Sequence, residues 1–241
     1  MLVLFVAPQI LHAAEDSGKT DSEKTQPKIR WRTDQPDFRP TLMPAIWHTL
    51  VLQVMGFGLL QSMDSDATNF VDPSFDNVRE AFKRGPAWED DHWQWNYIAH
   101  PLWGSETYLR ARAQGFGRIP SFLFSTASSF VWEFLFESWS SRPSTDDLLI
   151  TSTAGSLLGE LRFHLKRKLA LNDSRMARVL DFIVDPLHGV TRKVGSWFGK
   201  DWREPAFIRA DSHRPPSSFL VLDPALIDGK VGVTMRVSWR F

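Results

Sequence analysis

The chain has 241 residues, 28 Lys+Arg against 28 Asp+Glu, and no Cys. The balanced charge excludes a nucleic-acid binder that works by neutralising many phosphates. The missing Cys excludes disulfides, thiolate metal sites and cysteine nucleophiles. Hydrophobic residues at 43% exclude bulk disorder, while 11 Trp and 18 Phe against 2 Tyr demand an apolar surrounding, a core or lipid, for much aromatic surface.

Leu2 to Leu11 is a short apolar run, followed by His12-Ala13-Ala14 and a charged stretch from Glu15. An apolar run, small residues and a polar continuation predict a signal peptide over residues 1–14, although Met1 abuts the run with no basic residue between. The alternative is an apolar tail packed on the fold. Residues 15–40, rich in charged residues, Ser, Thr, Gln and Pro, read as a flexible linker.

Thr41 to Met63 carries no charge, and Pro44 suits the first turn of a helix. Its length suits a bilayer span. His48, Gln53, Gln61, Gly56 and Gly58 dilute the apolar run, so a core helix stays equally open. A short amphipathic helix is expected over Asp72–Arg84, with Phe75, Val78, Ala81 and Phe82 on one stripe and Gly85-Pro86 as its stop. Glu89–Tyr97 alternates charge and Trp; an extended stretch puts Trp93 and Trp95 on one side. Helices are expected over Pro101–Gln114, Pro120–Trp139 and Ser144–Leu169, the last with Ser144 as N-cap, Asp147 three residues on, and a basic end. A further helical stretch, Arg175–Ser196, is broken at Asp185-Pro186 and Gly189. Near the C-terminus, Ser218–Leu222 and Lys230–Phe241 are strand-like around an Asp228-Gly229 turn signal. The fold class is mainly α: a compact bundle of three apolar helices plus shorter ones, with a C-terminal β-hairpin docked on the helices. The expected helical domain covers 41–198 and the tail 199–241.

From residue 90 to 160 the order of motifs becomes specific. His100-Pro101 precedes Gly104-Ser105, then Ala111-Arg112, Trp132-Glu133 with Glu137, Pro143-Ser144-x-x-Asp147 and Gly159-Glu160; Asp185-Pro186-Leu-His-Gly-Val-Thr-Arg192 follows. This ordered set resembles the bacterial domain-of-unknown-function family numbered 3943, over roughly residues 41–198. The resemblance implies a predominantly helical, exported envelope protein with no established activity.

Several residues could carry chemistry. Ser125, Ser129, Glu133 and Glu137 recur every four residues and share a helix face that is otherwise flanked by Phe and Leu. Buried carboxylates need partners, and Arg110 and Arg112 are the expected ones in a structural cluster with Ser125 and Ser129. The candidate catalytic set is His100, Glu133, Glu137, Asp147 and Glu160. A divalent metal could be held by Glu133, Glu137, Glu160 and His164, although the paired Glu-x-x-His of di-metal bundles is absent. His100 before Pro101 also reads as a helix-start cap. No zincin motif, nucleophile elbow or phosphate loop occurs. These readings point to an exported, membrane-associated protein of the periplasm or outer membrane, structural or lipid-binding, with membrane lipid as partner, no cofactor required and no nucleic acid. The alternative is a hydrolase acting on a lipid or envelope polymer through a buried Glu/His cluster.

Overall fold

A computed structural model of the chain describes residues 29–63, 72–88 and 93–210, and the backbone of 218–227 and 230–239. The expected signal peptide lies outside the described residues. Seven α-helices occur among them: α1 (Met43–Gln61), α2 (Phe75–Arg84), α3 (His100–Ala113), α4 (Arg118–Val131), α5 (Thr145–Leu169), α6 (Arg175–Val184) and α7 (His188–Trp197). The molecule is mainly helical. The C-terminal stretch runs as β1 (Ser218–Ile227) paired antiparallel with β2 (Lys230–Trp239), Ser218 opposite Trp239. The side chains of these strands, and so the expected docking of their apolar face, lie outside the described residues.

Local chemistry sets the helix ends. Ser74, Ser144 and Ser174 each accept a backbone N–H three residues on and so cap α2, α5 and α6. Gly85 ends α2 with φ +67°, which a side chain resists. Trp93 and Trp95 are helical rather than extended, because a π-helical turn over Trp95–Ala99 leads straight into α3. Pro101 supplies no N–H for an α-helical ladder, and the wider turn before it accommodates that loss. His100 therefore makes no side-chain cap. Helix α4 likewise continues as a π turn over Trp132–Phe136 and a 3-10 turn over Glu137–Trp139. Residues 29–40 of the expected linker are partly docked: Trp31 is buried under the Arg167 guanidinium, 4.7 Å from its ring centroid, and Arg32 N–H donates to Ile208 O.

The helices pack with small residues between them. α3 and α5 run parallel, since His100 meets Thr151 and Arg112 meets Glu160. At their closest approach a Cβ on Gly104 would stand 2.0 Å from Thr151 O, and one on Gly155 would stand 2.7 Å from the Gly104 Cα. α4 returns antiparallel to α5, with Arg118 on Glu160 at one end and Glu133 on Ser144 at the other. α1 packs against α7 and α3 and reaches α4 at Gln53, whose Nε2 donates to Ser128 O at 2.9 Å.

Burial is inverted. Ser121, Ser125, Ser128 and Ser129 of α4 are buried, and so are His48, Thr49 and Gln53 of α1. Leu59, Leu123, Leu157 and Ile119 are exposed, Leu157 to 75%. Met43–Gln61 and Arg118–Trp139 are long and apolar enough to cross a membrane, and only 33% of an apolar 18-residue window in each is buried inside the molecule.

The glycine packing has a direct test. Gly155→Ala drives a methyl into the α3 backbone and should cost about 3 kcal/mol, the upper end of overpacking. Gly58→Ala meets nothing within 4 Å and should be neutral or stabilising by up to about 1 kcal/mol through helix propensity. Thermal unfolding followed by circular dichroism compares the two.

Candidate functional site

Three helices deliver one side chain each to a common point. His100 opens α3, Glu133 lies in the π turn that extends α4, and Asp147 sits in the first turn of α5. Their nitrogen and carboxylate ligand atoms lie within 4.8 Å of one another. Glu133 and Asp147 are fully buried, and the His100 side chain keeps 14% of its exposure. His100 Nδ1 hydrogen-bonds with Thr151 Oγ1 at 3.0 Å, which turns Nε2 towards Asp147 Oδ2 at 3.3 Å. Glu133 Oε2 accepts the Ser144 N–H at 2.8 Å. Ser144 is itself fixed by backbone bonds from Ala87 to Pro143 and from Thr145 to Ala87.

The electrostatics follow from that placement. Both carboxylates lie at the N-terminus of a 25-residue helix, whose free N–H groups favour negative charge. Burial pushes the His100 pKa down to about 4, so its imidazole is neutral near pH 7. A neutral imidazole and two carboxylates form a set that can accept a proton or hold a cation. Glu137, one turn beyond Glu133, accepts the Trp132 indole N–H at 2.7 Å.

Glu160 and His164 stand elsewhere. Thirteen residues of helix separate Asp147 from Glu160, about 20 Å along α5. Glu160 accepts from Tyr108, Arg112 and Arg118, and His164 lies 3.1 Å away. Burial works against its ionisation, but the hydrogen bonds from Arg112, Arg118 and Tyr108 outweigh it and hold the pKa at about 2. The metal set Glu133, Glu137, Glu160 and His164 is thus split between the two ends of α5, with His100 and Asp147 beside Glu133 instead.

Arg110 also turns away from Glu133 and Glu137. It pairs with Glu106 at 3.0 Å, with Asp185 at 2.5 Å and with Glu204. Arg162 joins Glu106 at 2.8 Å, and Lys166 joins Asp185 at 2.7 Å. His48 links α1 to this group through Glu106 Oε1 at 3.0 Å and Thr191 Oγ1 at 2.8 Å. Three carboxylates thus face three cations in the interior. Burial opposes the charge on Asp185, but Arg110 and Lys166 outweigh it and hold its pKa well below the usual carboxylate range. Ser125 accompanies Thr107 at 2.9 Å and donates to Gly104 O, while Ser129 is buried on the same face. Sequence reasoning gave no pairing role to Glu106, Asp185, Lys166, Arg162, Glu204, His48 and Thr151. The four-residue spacings Glu106–Arg110 and Asp147–Thr151 were the available signals.

Removing one member of a buried network strands the others. Arg110→Ala should cost about 3–5 kcal/mol, whereas Arg118→Ala, at an exposed ion pair, should cost below about 1 kcal/mol. Denaturant unfolding measures both. The Glu160 pKa, lowered from 4.5, adds a pH dependence: its contribution is full above pH 4.5 and is lost as pH falls towards about 2. Over that window acid titration of the folded fraction should be shallower for Glu160→Gln than for the parent.

No curated protein and no solved structure matches the chain. A family match covers residues 85–187, a narrower span than 41–198, and includes His100, Glu133, Asp147, Glu160 and Asp185. The region from Gly85 to Leu187 is similar to the family described as Domain of unknown function (DUF3943).

Proposed function

We propose that the protein is a membrane-embedded component of the bacterial cell envelope, exported by its N-terminal apolar run, whose helices face lipid. One observation carries this reading: the inversion of burial. In water, a helix that buries His48, Thr49 and Gln53 while exposing Ile46, Val54 and Leu59 is backwards. In hydrocarbon the same arrangement is favourable, because polar side chains find partners inside and apolar ones meet acyl chains. Small residues at the α3–α5 contact suit packing in lipid, where close backbone approach replaces the hydrophobic effect. Aromatic residues supply further support. Trp88, Trp93, Tyr97 and Trp139 are exposed at the end of the bundle that holds His100 and Asp147, and Trp197 and Phe198 beside Trp47 at the other. Such belts suit the two interfaces of a bilayer.

A second reading, a hydrolase acting on a lipid or envelope polymer, is favoured by the convergence of His100, Glu133 and Asp147 at an aromatic-rich end of the bundle. An imidazole beside carboxylates can move a proton at Nε2, and the site lies at the height where headgroups and water meet.

The membrane reading predicts that the chain resists alkaline carbonate extraction and floats with liposomes. Lipids brominated along the acyl chain should quench its Trp fluorescence. Release into the soluble fraction without detergent, as a folded monomer, refutes it.

A further inference from the structure

We propose that His100, Glu133 and Asp147 together ligate one divalent first-row transition-metal ion, of the Zn2+ or Mn2+ kind, with Thr151 and the Ser144 N–H as positioning groups behind them. This inference does not depend on the membrane reading.

The donor set is mixed: one imidazole nitrogen and two carboxylate groups, each from a different helix. That combination suits borderline cations, since imidazole disfavours Mg2+ and Ca2+ while oxygen donors admit Zn2+ and Mn2+. The spacing agrees. Two ligands bonded to one tetrahedral ion at about 2.0–2.1 Å stand about 3.3 Å apart. His100 Nε2 and Asp147 Oδ2 are 3.3 Å apart. No separation in the trio exceeds 4.8 Å, so closing it round an ion asks for carboxylate shifts on the order of 1 Å.

The groups behind the donors have the arrangement metal sites use. A ligating His gives its second ring nitrogen to a fixed partner, and Thr151 Oγ1 holds Nδ1 at 3.0 Å. Carboxylate ligands are likewise anchored, and Ser144 N–H holds Glu133 Oε2 at 2.8 Å. Both helical irregularities adjoin the trio: one π turn ends at Ala99, before His100, and the other contains Glu133. π turns recur at functional sites because they redirect a side chain without ending the helix. The remaining exposure of the His100 side chain leaves a route for the ion and positions for water or substrate.

The full chain is purified in detergent, stripped with a chelator, and dialysed in parallel against Zn2+, Mn2+ and Mg2+. Metal content is read by mass spectrometry and stability by thermal unfolding. The expected result is about one equivalent of Zn2+ or Mn2+, little Mg2+, and a raised melting temperature. His100→Ala, Glu133→Gln and Asp147→Asn should each lower retention by about tenfold or more, whereas Glu160→Gln should leave it unchanged. Wild-type protein that takes up no ion and shows no thermal shift overturns the proposal, whether or not the variants fold. So does metal retained in full by folded Asp147→Asn and Glu133→Gln. Membrane partitioning is scored separately on the same preparations, so either conclusion can fail alone.

Discussion

Helices α3 and α5 pass with no side chain between them at Gly104 and Gly155, and the positions of the functional groups depend on that contact. Because the two helices run parallel, their residues align turn by turn. His100 stands beside Asp147 and Thr151, Tyr108 beside Gly159, and Arg112 beside Glu160. A larger residue at either glycine would push the axes apart and separate the N-terminal ends, where the imidazole and the carboxylates must meet. Helix α4 then closes the third side. Its serine face lets it lie close enough to Gly104 for Ser125 Oγ to reach the Gly104 carbonyl at 3.0 Å.

Polar groups are sorted along this frame. At one end the trio His100, Glu133 and Asp147 combines two carboxyl groups with an imidazole. Towards the other end Glu106, Arg110, Arg162, Lys166, Asp185 and Glu204 balance charge for charge. The balanced group reads as architecture: each ion has an opposite neighbour, and Arg110 bridges three carboxylates. The trio reads as chemistry, because three helices bring an imidazole and two carboxyl groups to one point.

Much of the helical layout was legible in the sequence. Ser144 with Asp147 three residues on marked the start of α5, and the four-residue spacing Ser125–Ser129–Glu133–Glu137 marked the inward face of α4, all four of which are buried. The partners were less legible, because pairing between helices depends on direction and register, which no local pattern encodes. Arg110 was expected on Glu133 and meets Asp185, 75 residues on in the chain, instead. One limit was readable in advance: Asp147 and Glu160 share a helix, so their separation is fixed by its rise and they cannot share a site. The helical course of Trp93 and Trp95 was hidden by Pro101, whose effect the π turn absorbs.

Helix α1 gains a further meaning from three of its polar residues, His48, Gln53 and Gln61. A cylinder with apolar side chains on most faces has little rotational preference among apolar neighbours, since every face is equally at home. His48 bonded to Glu106 and Thr191, Gln53 to Ser128, and Gln61 to Ser140 act as keys cut at successive heights. Only one rotation and one axial setting of α1 engages all three. Specificity of assembly thus comes from a few hydrogen bonds rather than from apolar area, and each bond lost leaves the helix free to turn as well as less tightly held.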